Sequence, residues 1–413
     1  VTDGTDKGNS ETRTLAVVTL SHVAQHFFVG LSVLYPAMMA DLNLTYTQLG
    51  LMTGVASITS GFLQMAWSLL NRWVSRRLLL GLGNLLISVG CVLFGRARGF
   101  VEVVGGNLIS GGGQAAQHPV GTSILANKFS NAQVSRALSL HYGLGYVGNI
   151  VSPILLSFIA VSLDWRSATY VLALVPLVSG LAVLYFLKGE PSAARSISGA
   201  ERATFWEDVK SSLRNKRVVL LIAAQAFAVG GTGMGVIISY APLFLRNELN
   251  LGLVETSWIY SLAVIGGVLG TLICGYLAGR VGNLRTALYL VGVGSLLIFL
   301  LILHHAFTWI LVPHLFLVGG TSFAYGSLLQ AHLATILSPR QRDVVMGLYF
   351  TLGFGVNSIW NAVTGFLIDV YGSFTPAWVF RSILGAIAFV FIVLASRSTP
   401  KVPAKSPLPA TGD

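Results

Sequence analysis

"LHYGLGYVGN" at residues 140–149 and "LYFTLGFGVN" at residues 348–357 carry the same Leu, Leu, Gly and Asn in register. The offset of about 208 positions recurs. Asp41-Leu-Asn-Leu44 returns as Glu248-Leu-Asn-Leu251 and Arg72 returns as Arg280, while Asp164-Trp165-Arg166 has a looser partner, a few positions out of register, in Trp378 and Arg381. Chance alignment of apolar sequence does not hold one offset over so many matches, so the chain reads as two related halves.

Each half is too apolar for water. The 413 residues are 54% hydrophobic and 10% charged, with a mean hydropathy of +0.73, which places the chain among membrane proteins. A bilayer core takes about 20 apolar residues per helix, and marking such runs gives spans one to six near 15–40, 47–70, 77–95, 101–126, 137–160 and 168–187. Spans seven to twelve fall near 218–245, 254–278, 286–303, 307–336, 344–368 and 376–396. The expected organisation is a tail (1–14), a six-helix bundle (15–187), a hydrophilic linker (188–217), a second bundle (218–396) and a tail (397–413). The first apolar run is longer than a signal-peptide core and no cleavage pattern follows it, so it is expected to be retained.

Charge sets the expected orientation. Most of the 26 Lys and Arg residues fall in loops on the side of the termini, which the positive-inside rule makes cytoplasmic. The net charge of +11 is scattered between apolar runs rather than gathered on a soluble face, so nucleic acid is not an expected partner. The expected partners are a small-molecule solute, protons and the lipid bilayer of the cell inner membrane, with the protein a monomer. Cys91 and Cys274 stand far apart in apolar runs and suggest neither a disulfide framework nor a metal site.

Polar residues inside spans are costly unless they meet a partner or a wet cavity, which makes them default site candidates. His22, Gln25 and His26 stand at i, i+3 and i+4 in span one, and Gln114, Gln117 and His118 repeat that spacing in span four. Each trio forms one stripe. The spans run in opposite directions, so the stripes lie at similar depth and are expected to face each other across a cavity. Gly111, Gly112 and Gly113 permit close approach or a wider pore, and Pro119 removes a backbone hydrogen bond and is expected to kink span four. Histidine is the residue suited to reversible protonation at mid-membrane, since Glu102, Glu255 and Asp369 fall near span ends. His141 joins the candidates. The second half supplies Gln225, Tyr240, Ser322, Tyr325, Gln330, Asn357, Trp360 and Asn361, and Asn149 and Asn357 hold equivalent places in the repeat. Trp165, Trp309 and Tyr371 read as interfacial anchors.

At this point the chain resembles the major facilitator superfamily over essentially its whole length. That family's signature after span two is roughly Gly-x-Leu-Ala-Asp-Arg-x-Gly-Arg-Arg. Here "SLLNRWVSRRLLL" (68–80) places Asn71 where the Asp belongs, keeps Arg72, and matches Arg76 and Arg77 after one extra residue; "GYLAGRVGNLR" (275–285) keeps Arg280 and Arg285 with Gly279 in place of the Asp. The resemblance implies that Asn71 and these arginines form a cytoplasmic gate whose acidic member is lost twice. Within the superfamily the chain is most similar to fosmidomycin-resistance-type efflux proteins, through Gly111, Gly113, His118 and Pro119, then Arg136-Ala137-Leu138-Ser139-Leu140, then Gly143, Gly145, Gly148 and Pro153. Ser152-Pro153 replaces that group's Gly-Pro, and Asn107 stands where many relatives have an arginine.

The expected fold is therefore an all-α membrane protein, twelve transmembrane helices in two pseudo-symmetric six-helix bundles, rocking about a midplane site. The expected function is secondary transport of a small organic solute without cofactor or metal, as proton-coupled efflux of an amphipathic compound or, alternatively, transport of a small organic anion. His22 and His26 are spaced like a helical metal pair, but no acidic or thiol ligand joins them. An enzyme would need a Ser-His-Asp or His-plus-carboxylate grouping that the spans lack.

Overall fold

In a computed structural model the described residues, 2–71, 73–130, 133–188, 207, 209–337 and 339–398, contain helices and no strand. The first half holds span one (Thr2–Val29, a tight turn Gly30–Leu34, then Tyr35–Leu42), span two (Tyr46–Leu70), span three (Arg76–Arg96), span four (Phe100–Gln114, Gln117–Gly121, Thr122–Lys128), span five (Val134–Gly145, Val147–Ser162) and span six (Trp165–Phe186). The second half holds span seven (Lys216–Glu248), span eight (Leu253–Val281), span nine (Asn283–Leu303), span ten (Leu311–Ile336), span eleven (Pro339–Tyr371) and span twelve (Thr375–Arg397). Among the described residues, eight are long and apolar enough to cross a membrane on length and composition. The other four, spans two, four, ten and eleven, all bring polar side chains to the central cavity.

The repeat is visible in the backbone. Asn43 and Asn250, the asparagines of the two Leu-Asn-Leu motifs, both take the left-handed conformation, with φ of 51° and 56°. Asn tolerates that region because its short amide bonds locally, so the same residue ends spans one and seven at matching places. Capping residues start other helices: Ser75 Oγ accepts from Leu78 N, Asn215 Oδ1 from Arg217 N, and Asp164 Oδ1 from Ser167 N at 2.7 Å. The bond from the Ser167 backbone holds the Asp164 carboxyl below the usual carboxylate range.

Burial runs opposite to that of a water-soluble protein. Val178, Leu272 and Ile273 are exposed, while Ser21, Asn149, Ser152 and Arg381 are sealed inside. Apolar side chains facing outward and polar ones facing inward are what a hydrocarbon solvent selects. Trp165 departs from its expected place as an interfacial anchor. It is buried, and its indole donates to Asp41 Oδ2 at 3.2 Å beside the Arg166–Asp41 ion pair at 2.8 Å, because the start of span six packs onto the end of span one.

The two halves meet along spans two and eleven and along spans five and eight. Span two lies directly on span eleven because Gly50, Gly54 and Gly365 have no side chain. A Cβ on Gly50 would stand 2.3 Å from Asn361 O, and one on Gly365 would stand 2.0 Å from Tyr46 O. Toward the face opposite the termini, Asp369 at the end of span eleven caps span two. Its Oδ1 accepts from Tyr46 N at 2.9 Å, and its Oδ2 accepts from Thr47 N at 2.7 Å and Thr47 Oγ1 at 2.5 Å. Ser157 and Ser257 bond at 2.8 Å across spans five and eight, and Ser261 donates to Ile150 O. These contacts close the halves against each other on that face.

Candidate functional site

Below this closure lies a cavity of about 400 Å³ between the halves. Phe28 and Tyr35 of span one, Thr53, Ser57 and Ser60 of span two, and Asn107, Gly111 and Gln114 of span four form one wall. Gln225, Met234, Ile238 and Ser239 of span seven, Ser322, Phe323 and Tyr325 of span ten, and Phe354, Asn357 and Asn361 of span eleven form the other. No charged side chain lines it among the described residues. Ser322 Oγ, Asn357 Oδ1 and Gln25 Oε1 are buried without hydrogen-bond partners, so acceptors and a donor stand ready near the cavity for a polar group to satisfy.

The stripes of spans one and four meet directly. The His22 and His118 rings are 5.3 Å apart, and Gln25 Nε2 donates to Gln114 O at 3.4 Å. Only Gln114 and Gly111 of the "GGGQAAQHPVG" stretch (111–121) reach the cavity. Gly113 abuts span three, where an added Cβ would stand 2.3 Å from Gly83 O, and Gly112 O accepts from the Trp67 indole. Gln117 turns away from the cavity. Its Oε1 accepts from Ser21 Oγ at 2.6 Å, and Ser21 Oγ accepts from Asn84 Nδ2 at 2.7 Å, tying spans one, three and four. The cause is a wide π-type turn over Gln117–Gly121: with no N–H on Pro119, the helix swells locally and its faces rotate.

Span five completes a histidine cluster. Gly145 and Gly148 let it lie against span one, since a Cβ at either would stand 2.4 Å from His22 Nδ1 or Val23 O. His22 then stacks on His141 with ring centres 4.4 Å apart, and Tyr142 and Tyr146 flank the group. Three hydrogen bonds run in series. His26 Nδ1 is 3.0 Å from Asn149 Oδ1, His26 Nε2 is 3.1 Å from His22 Nε2, and His22 Nδ1 is 3.1 Å from the His141 carbonyl.

Two neutral rings hold too few protons for that series. Both ends are oxygen acceptors and the middle bond needs one hydrogen, so three hydrogens must sit on two rings. Two neutral imidazoles carry two. The pattern is satisfied when the His22–His26 pair holds one extra proton, or when Asn149 rotates its amide to present Nδ2, which is unpartnered in the present orientation.

The remaining expected residues divide. Tyr325, Asn357 and Asn361 line the cavity, whereas Tyr240 sits behind it, donating to Asn361 O at 2.5 Å. Trp360 points into its own bundle, its indole bonded to Ala226 O, and half-buried Gln330 lies off the cavity. Among the gate residues, Arg72 lies outside the described residues. Asn71 is half-buried, Arg77 bonds Leu184 O at 3.2 Å, Arg280 reaches the Tyr276 hydroxyl and ring, Arg76 is buried and Arg285 exposed. The bonds of Arg77 and Arg280 stay within one half each.

Arg381 is the residue that sequence reasoning placed only in the repeat. It is fully buried, with Nη2 on Asn361 Oδ1 and Nη1 on Gly230 O at 2.7 Å each, Nε on Thr364 Oγ1 at 3.1 Å, and its guanidinium 4.8 Å over the Tyr240 ring. Its signal was available: a lone arginine inside an apolar span is a functional candidate by default.

Two helical halves around a central cavity with no charged lining side chain among the described residues form the architecture in which solute carriers are built. The chain matches the Major Facilitator Superfamily model over residues 15–361 and belongs to that family. It is 25% identical over 396 residues to the probable sulfoacetate transporter SauU of Cupriavidus necator, covering 88% of this chain and 89% of that one. It is 23% identical over 380 residues to the fosmidomycin resistance protein of Escherichia coli, covering 88% of each. Among solved structures, the nucleoside transporter NupG superposes with a TM-score of 0.77 at 15% identity, covering 95% of this chain and 100% of that one. The chain is thus a transporter rather than an enzyme.

Proposed function

We propose that the protein moves a small amphipathic solute by alternating access, coupled to protons through the His22–His26 pair and exporting the solute from the cell. The cavity carries this reading. Aromatic faces from Phe28, Tyr35, Phe323 and Phe354 beside neutral amides and hydroxyls suit a molecule with one apolar face and a few hydrogen-bonding groups. The coupling path runs through His22, His26, His118, His141 and Asn149, and reaches the cavity wall where Gln25 bonds the backbone of Gln114. Similarity to the fosmidomycin resistance protein supports the direction. The Lys and Arg bias of the loops supports cytoplasmic termini in the inner membrane.

A second reading, transport of a small organic anion, has its own observation. Arg381 holds Asn361 at 2.7 Å, so a cation stands one side chain behind the wall, and one relative is a probable sulfoacetate transporter. Thermal stabilisation of the purified protein by a library of neutral amphiphiles, carboxylates and sulfonates, at two pH values, separates the two. Stabilisation by neutral amphiphiles supports the first reading, and stabilisation by anions alone replaces it with the second.

A further inference from the structure

Spans seven and twelve pack along each other, and on the face that carries the termini the start of one and the end of the other enclose a second cavity of about 660 Å³. It shares no lining residue with the central one and has the opposite chemistry. Arg214, Lys216 and Arg217 line it from span seven and the segment before it, Arg397 and Ser398 from the end of span twelve, and no acidic side chain lines it among the described residues. Arg217 is anchored, its Nη2 3.0 Å from His332 Nε2, while its buried Nε has no hydrogen-bond partner. Four cations gathered with no carboxylate among the described lining residues repel one another unless an anion joins them.

The surroundings indicate where that anion comes from. Leu394 lines the cavity and is exposed, and Val390 one turn away on span twelve and Val219 on span seven are exposed as well. A polybasic pocket at the rim of an outward apolar surface matches a phospholipid, headgroup above and chains below, better than a free ion in water. We infer that this pocket binds the phosphate headgroup of an anionic membrane lipid. The inference is independent of the transported solute and of proton coupling.

The test uses the full-length protein purified in neutral detergent. Its melting temperature is followed while phosphatidylglycerol, phosphatidylcholine or inorganic phosphate is titrated in. Phosphatidylglycerol is expected to raise it saturably and phosphatidylcholine to leave it unchanged. The double variant Lys216→Gln/Arg397→Gln, on exposed side chains, is expected to weaken the phosphatidylglycerol response roughly 30-fold, the factor that two basic residues contribute near an anionic surface. Native mass spectrometry of the same samples is expected to show phosphatidylglycerol retained by the wild type and lost from the variant. Equal responses to the two lipids, an unweakened response in the variant, or inorganic phosphate alone reproducing the full shift would each overturn the assignment.

Discussion

Replacing Asp369 with Ala removes a helix cap that one half of the molecule supplies to the other. In the arrangement seen here the carboxylate accepts from two backbone amides and one hydroxyl at the start of span two. A lost N-cap costs about 1 kcal/mol, and a lost negative charge at a helix start adds about 0.3–1 kcal/mol. Asp369 is exposed, so the total stays near about 1.5 kcal/mol rather than the larger values of buried charge-assisted bonds. All of it falls on one side of the conformational balance, because the cap exists only while the halves are closed on this face. The expected consequence is a roughly 10-fold shift toward the arrangement open on the face opposite the termini. A reporter cysteine in place of Ser57, which lines the cavity, introduced with Cys91 and Cys274 changed to Ala, makes this measurable with a membrane-impermeant maleimide applied to that face. Asp369→Ala should speed labelling about 10-fold, by the same balance, and Asp369→Asn less. An unchanged labelling rate in a properly folded Asp369→Ala protein would refute the cap's role in closure.

Three further outcomes follow from the same geometry. Gly50→Val should act in the same direction as Asp369→Ala in the labelling assay, because its Cβ would stand 2.3 Å from Asn361 O; unaltered labelling would show that spans two and eleven have slack. Arg381→Met leaves Gly230 O and Asn361 Oδ1 without their donors and should cost about 2–6 kcal/mol of stability, at about 1–3 kcal/mol per buried unsatisfied group, read as a lowered melting temperature that an unshifted melt would contradict. Asp164 has a folded-state pKa held below its ordinary value by the bond from Ser167 N, so its charge stabilises above the ordinary carboxylate range and that contribution is lost as pH falls through the depressed value. The melting difference between wild type and Asp164→Asn should therefore exist at neutral pH and close in acid, and a difference independent of pH would exclude the charge as its cause.

Much of this fold could be read in the chain because hydrocarbon imposes one rule on every span, and because the duplication repeats local signals such as Asn43 and Asn250. The candidate site was legible in part. Spacing at i, i+3 and i+4 brought His22, His26 and His118 together, since helical phase is a local property. It misplaced Gln117, because the π-type turn at Pro119 shifts phase by an amount no residue pattern announces. It missed the Asp369 cap, whose partners Tyr46 and Thr47 lie 323 and 322 residues away in the chain, and the sealing of Arg381, which depends on spans seven and eleven packing around span twelve. Tertiary partners, rather than propensities, decide those positions.

The central claim is that a solute held in the central cavity and a proton held by His22 and His26 move together. Solute-driven proton movement in proteoliposomes, with wild type and His26→Gln compared at equal protein density, addresses it most directly. A solute that stabilises the protein should drive a pH change in wild-type vesicles, and His26→Gln, which cannot hold the extra proton in the His22–Asn149 series, should carry solute without one. Proton movement of equal stoichiometry in His26→Gln, or solute flux with no proton movement in the wild type, would contradict the account.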